Sequence, residues 1–143
     1  MKLFDVNVLV YAHREDAPEH IRYRDYLERE INTGEVFALT RFILSGFLRI
    51  VTHPKIFVPP TPLKDALFFA NQLASHPHAV FPQPSARQWS AFQRLCEQAN
   101  VKGNLIPDAF IASIAMDSGC TLVTTDRDYG RFSGLRWIHP LSP

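Results

Sequence analysis

Apolar and polar positions follow one another along this 143-residue chain in blocks whose period changes, and the changes mark out secondary-structure elements. Leu3 to Val10 is an apolar run interrupted by Asp5 and Asn7, the pattern of a buried strand ending in a polar turn. Between Pro18 and Ile31 the residues Tyr23, Leu27 and Ile31 recur every fourth position, which predicts a helix stopped by Gly34. Glu35 to Leu39 reads as a second strand. A helix follows it without a loop, from Thr40, whose hydroxyl suits an N-cap, to about Val51, where His53-Pro54 ends it. Pro62 to Ala74 and Ser85 to Ala99 have helical periods, with Ala79 to Phe81 as a short strand between them. Pro107 and Asp108 open another helix that runs to about Ser118 and is capped by Gly119. Thr121 to Thr125 is a further strand, and Leu135 to Ile138 is the candidate for a last one.

Strands that alternate with helices imply an α/β fold with a mostly parallel central sheet covered on both faces. Ligands of such sheets bind outside the carboxyl ends of the strands. Residues at strand ends and at the helix starts that follow them are therefore the ones to weigh for function.

Composition narrows the picture. With 143 residues, 46% of them hydrophobic, the chain supports one domain and one core, so residues 1–143 are expected to form a single unit. No apolar run approaches the ~20 residues of a membrane span, and no basic leader with a cleavage site opens the sequence, so a cytoplasmic location is the expectation. Cys96 and Cys120 lie far apart without paired spacing, which argues against both a disulfide framework and a zinc site. The formal charge of +1 does not announce a nucleic-acid binder, although an enzyme can gather a few cations around an acidic site.

Three carboxylates fall at the expected kind of position: Asp5 in the first strand, Asp108 in the first turn of a helix, and Asp126 directly after a strand. Brought to one edge of the sheet, they would repel one another unless a divalent cation stood between them. All-oxygen ligands select a hard cation such as magnesium or manganese. Such a metal lowers the pKa of bound water and stabilises charge on a phosphodiester, so no covalent nucleophile is required. Each acid also has a plainer reading. Asp108 could serve the helix dipole, and Asp126, in Thr125-Asp126-Arg127-Asp128, could form a turn. Asp5 is the sharpest of the three, because Leu3, Phe4, Val6, Val8 and Leu9 surround it in sequence and a buried unpaired charge is costly.

The segment from Phe4 to Ala12, FDVNVLVYA, resembles the opening of PIN-domain proteins, particularly the VapC-type toxins. The stretch GNLIPDAFIA from Gly103 to Ala112 is similar to the family's central helix entry, and LVTTDRDY from Leu122 to Tyr129 to its last acidic strand end. LSGFLRIVTHP from Leu44 to Pro54 is similar to one VapC-type subgroup. The order of these segments agrees over nearly the whole chain. The resemblance implies a PIN-like α/β/α sandwich, magnesium- or manganese-dependent cleavage of single-stranded or loop RNA, a homodimer, and inhibition by a small VapB-type antitoxin. It also implies that Asp5, Asp108 and Asp126 are catalytic and hold the metal.

One feature departs from the pattern. The family usually carries a fourth acid on the helix after the second strand, and no Asp or Glu occurs between Glu35 and Asp65. Either Arg41 or Gly46 fills the place, with Arg41, nearer the carboxyl edge, expected there. The two differ by about 140° around a helix, so only one can point into the pocket. An arginine facing the acids would pair with Asp5 or Asp108, compete with the metal and attenuate the activity.

Other residues stay open between two readings. Asp128 is an outer ligand or a solvated turn acid. Asn7 and Asn104 either support the acids or satisfy their local backbone, and Thr124 and Thr125 could donate to a carboxylate or phosphate. The six histidines share no spacing of a metal site or catalytic pair, and Phe68, Phe69, Trp89, Phe92 and Trp137 read as core or dimer contacts. Two rival functions remain. A phosphatase using Asp5 as nucleophile would want a second acid where Asn7 stands. A catalytically inactive PIN-like domain would bind a partner protein only.

Overall fold

The structure, a computed structural model, describes residues 1–142. Five short strands form one sheet in the order β3-β2-β1-β4-β5, every neighbouring pair parallel. They are β1 (Lys2–Phe4), β2 (Phe37–Ala38), β3 (Ala79–Val80), β4 (Thr121–Val123) and β5 (Trp137–Ile138). Six helices connect them: α1 (Val6–His13), α2 (His20–Ile31), α3 (Arg41–Val51), α4 (Leu63–Ala74), α5 (Ala86–Ala99) and α6 (Leu105–Asp117). The chain steps from β1 outward to β2 and β3, then returns to β4 on the other side of β1. Right-handed crossovers therefore put α1 to α4 on one face and α5 and α6 on the other. Contacts agree, since α1 packs on α2 and α3, α3 packs on α4, and α5 packs on α6. This is the expected α/β/α sandwich.

The first expected strand is shorter than its apolar run suggests. It stops at Phe4, and Val6 to His13 is helical with Val8, Leu9, Val10 and Ala12 buried. A continuous apolar run fits a buried strand or a buried helix equally well. The choice is made by Asp5, whose Oδ1 accepts from the amide of Val6 at 2.8 Å and caps the helix. The strand expected to reach Thr125 likewise ends at Val123. The helix expected from Pro107 starts two residues earlier, at Leu105, so the proline sits in its first turn, where a missing N–H is harmless.

Thr40 does cap α3, its hydroxyl accepting from the amide of Ile43 at 3.0 Å, and Ser85 caps α5 through the amide of Arg87. Gly119 closes α6 with φ +69°, a conformation that favours glycine. Leu3, Phe4, Leu9, Leu39, Ile43, Phe47, Leu122 and Val123 are fully enclosed and make the two layers of core. Each such side chain contributes roughly 1.5–3 kcal/mol of burial. The core clamps β1 between β2 and β4 and so fixes where Asp5 emerges.

Candidate active site

Asp5 directly follows the central strand, at the N-cap of α1. Its amide donates to the Val123 carbonyl at 2.9 Å, which ties it to the end of β4, and it is only 5% exposed. The expected buried carboxylate is thus present, and it is not unpartnered. Oδ1 is used by the Val6 amide, and Oδ2 accepts from the Thr124 hydroxyl at 2.7 Å. Burial raises its pKa, the Thr124 and Val6 hydrogen bonds oppose that, and the negative charge of Asp126 adds to the rise.

Asp126 stands at the end of the neighbouring strand. Thr124, fully buried, links the two acids, because its hydroxyl also accepts from the Asp126 amide at 3.1 Å. The Asp126 Oδ1 caps the short 3-10 turn Arg127–Arg131 by accepting from the Asp128 amide at 2.8 Å. Asp126 therefore forms a turn, as its plainer reading had it, and its charge also acts on Asp5 and Asp108. Asp108 enters from the first turn of α6, half-buried. Its pKa is pushed up to about 6, by burial first and then by the charges of Asp5 and Asp126. Thr124 joins Asp5 and Asp126 at the carboxyl ends of β1 and β4, and Asp108, in the first turn of α6, is close enough to feel the charge of both.

A residue absent from the sequence-based candidates completes the arrangement. Tyr129 is buried, and its hydroxyl donates to Asp108 Oδ1 at 3.4 Å. Its own pKa is driven up, by burial first and then by Asp5, Asp108 and Asp126. The available signal was its place in Asp126-Arg127-Asp128-Tyr129, but a tyrosine there looks like ordinary core.

The supporting candidates divide. Asn7 accepts from the Thr125 amide at 3.3 Å and so braces the loop that carries Asp126. Asn104 is exposed at the start of α6 and makes no side-chain cap. Asp128 is exposed and 3.8 Å from Arg131, as a solvated turn acid would be. His13 and His20 are occupied by Thr61 and by the Tyr11 carbonyl. Phe69 packs against Phe47 and His13, whereas Phe68 and Trp89 are 64% and 58% exposed and do not belong to the core. Both cysteines are free.

Arg41 does not behave as a countercharge. Its guanidinium lies over the Phe81 ring, 5.0 Å from the centroid, and among the described residues it forms no ion pair with any of the three acids. The first turn of α3 points it toward β3 rather than toward β1. Gly46 is the α3 position that meets the start of α1: a Cβ there would stand 3.0 Å from Val6 Cγ2, next to Asp5.

An oxygen-only donor set of this kind suits a hard divalent cation. Among the described residues no group of three or more histidine, cysteine, aspartate or glutamate side chains stands close enough together to hold a metal ion as the side chains lie. An open acidic edge is compatible with magnesium, which keeps several of its waters.

Comparison with known proteins agrees with this geometry. A family model described as PIN domain matches residues 2–135. The chain is similar to Ribonuclease VapC43 of Mycobacterium tuberculosis, 43% identical over 141 residues, covering 99% of this chain and 96% of the relative. It is similar to Ribonuclease VapC25 of the same organism, 37% identical over 140 residues, covering 98% and 99%. Among solved structures, VapBC2 from Rickettsia felis bound to a promoter DNA fragment superposes with a TM-score of 0.70 at 21% identity, covering 96% of each chain. Mycobacterium tuberculosis VapC20, described as a sarcin-ricin loop cleaving toxin, superposes with a TM-score of 0.69 at 12% identity, covering 100% of each. These two show the shared fold. The chain belongs to the PIN-domain family and, within it, to the group of VapC ribonucleases that it matches from end to end.

Proposed function

We propose that the protein is a metal-dependent endoribonuclease that cuts RNA phosphodiester bonds with water, using Asp5, Asp108 and Asp126 as the residues that hold magnesium or manganese. The observation that carries this reading is the meeting of three aspartates at one carboxyl edge, with Asp108 pushed up to about 6 by burial and by the other two. A bound divalent cation would relieve that repulsion, supply a water of lowered pKa and neutralise charge developing on the phosphate. The chain's own contribution is orientation. Thr124 holds Asp5 and the backbone of Asp126 in one hydrogen-bonded unit, Asn7 braces the following amide, and Tyr129 reaches Asp108.

The relatives' names support RNA as substrate, and the solved VapBC complexes support a small VapB-type antitoxin as partner. Leu63, Leu67 and Phe68, exposed along α4, offer apolar surface for protein association, whether with an antitoxin or with a second copy in a homodimer. Because α3 carries no carboxylate, the activity is attenuated relative to a site with four acids.

The test is cleavage of a mixed RNA pool by the purified chain in manganese or magnesium, beside Asp108→Asn. Cleavage that disappears in the variant and under chelation is the expected result. Equal cleavage in chelator, or in the variant, overturns the reading; no cleavage by any form leaves the inactive partner-binding domain in its place.

A further inference from the structure

We propose that the pocket beside the acid cluster, walled by Arg41, Phe81, Gln88 and Phe110, is a nucleotide subsite that seats a base of the RNA strand close to the cleaved phosphate. The inference rests on the ribonuclease reading and adds where the substrate lies.

The pocket measures about 180 Å³ and opens between the ends of β2 and β3 and the face of α6. Drug-sized ligands occupy pockets of about 300–1,000 Å³, so this one suits a single planar ring system. It adjoins the acids through two shared parts of the fold. Leu3 pairs with Ala38, so two residues further on Asp5 lies beside Thr40, which lines the pocket. Neighbouring strands are about 4.8 Å apart. α6 is shared as well: it carries Asp108 in its first turn, and Phe110, about 3 Å further along its axis and about 200° around it, lines the pocket. A strand of RNA with a phosphate at the acids therefore has an adjoining base within reach of this wall.

The lining has the three components that nucleotide binding requires. Arg41 is an exposed cation with no carboxylate partner among the described residues, stacked on Phe81 at 5.0 Å, available to a phosphate or to the face of a base. Phe110 presents an aromatic surface held by Phe42 at 5.2 Å and Phe92 at 5.5 Å. Gln88 is 6% exposed, and its amide nitrogen donates to the Ser113 hydroxyl at 2.7 Å. That bond fixes the amide plane. The Gln88 carbonyl oxygen has no hydrogen-bond partner among the described residues, and Gln88 lines the pocket. An acceptor held in place beside aromatic rings reads an N–H on a base edge. An acidic peptide is a poorer fit, because Arg41 is the pocket's one lining cation and Asp117 stands on its far wall.

The experiment measures fluorescence anisotropy of a labelled ten-nucleotide single-stranded RNA in EDTA, so that binding is read without cleavage. Wild type is compared with Arg41→Ala, an exposed position, and with Gln88→Met, which keeps the volume and loses the acceptor. Melting by circular dichroism checks that each variant folds. Each variant is expected to bind about tenfold more weakly, with Arg41→Ala also lowering the salt slope by about one. Folded variants that bind within twofold of wild type overturn the subsite, and if wild type still cleaves RNA with manganese the nuclease reading survives. A wild-type protein that neither binds nor cleaves RNA overturns both.

Discussion

The carboxyl edge of the sheet has two halves built on different principles. At β1 and β4 the side chains are acidic and each is held by a hydroxyl or an amide: Asp5 by Thr124 and Val6, Asp126 by the turn it caps, Asp108 by Tyr129. At β2 and β3 the edge is aromatic, with one cation stacked on a ring and one buried amide. The first half concentrates like charge, which hydrogen bonds offset and which the proposed divalent cation would neutralise; the second supplies apolar faces and a single positive charge. On the proposed reading, chemistry and grip sit on adjacent strands of one sheet edge, about one strand spacing apart where β1 meets β2.

The separation breaks most visibly in kinetics. Asp108→Asn is expected to lower kcat at least a hundredfold (an order of magnitude for losing a metal-site carboxylate) with KM little changed, while Arg41→Ala raises KM and leaves kcat within about twofold. Steady-state cleavage of one defined RNA distinguishes them, and an exchange of the two patterns would mean that the halves are assigned the wrong way round. Next in size is Thr124→Val, which leaves Asp5 buried without its hydroxyl donor and removes the acceptor for the Asp126 amide. Chemical denaturation should show a loss of about 2 kcal/mol.

Adding a fourth carboxylate sharpens the comparison. Gly46→Glu combined with Val6→Ala, which clears the atom 3.0 Å from the new Cβ, is expected to tighten manganese binding about tenfold by calorimetry, a gain of about 1.4 kcal/mol. Arg41→Glu, whose side chain points toward Phe81, is expected to leave it unchanged. An Arg41→Glu protein that binds manganese more tightly would restore Arg41 to the acidic half.

Protonation gives a smaller effect. Asp108 titrates near 6 in the fold against an ordinary value of 3.8, so the folded state holds its proton more firmly than the unfolded chain. The resulting stability is fully present below about pH 4 and is lost as pH rises through about 6. In metal-free buffer the Asp108→Asn protein should therefore be more stable than wild type at pH 7.5 by about 1 kcal/mol, discounted for partial exposure, with the difference shrinking at pH 5. Added manganese should reverse the order. Smallest of all, Tyr129→Phe keeps the ring packing against Phe132 and is expected to change manganese affinity only two- to threefold, with the melting temperature nearly unchanged.

Much of this was legible in the residues. Thr40, Ser85 and Gly119 name helix ends because capping and left-handed closure are local chemistry. The three aspartates were legible because carboxylates at strand ends are conspicuous. What escaped the sequence was orientation. The apolar stretch after Asp5 has no period that separates strand from helix, and the capping bond that decides it depends on where β1 stops. Arg41 was placed by its distance along the chain, whereas the direction of its side chain is set by Phe81, forty residues away. Tyr129 escaped because a buried ring and a buried hydroxyl are written with the same letter.

Asp5 belongs to the scaffold as well as to the proposed chemistry, since its two oxygens serve a helix start and a neighbouring strand end. A genetic screen for loss of toxicity would therefore return alanine at this position for two confounded reasons, a missing charge and a frayed α1. Asparagine keeps one oxygen for the cap, discards the charge and turns an NH2 toward Thr124, whose hydroxyl must then accept rather than donate. An allele carrying it would leave α1 capped, so it separates the two reasons better than alanine does, and would be the better inert form for growing the protein in cells.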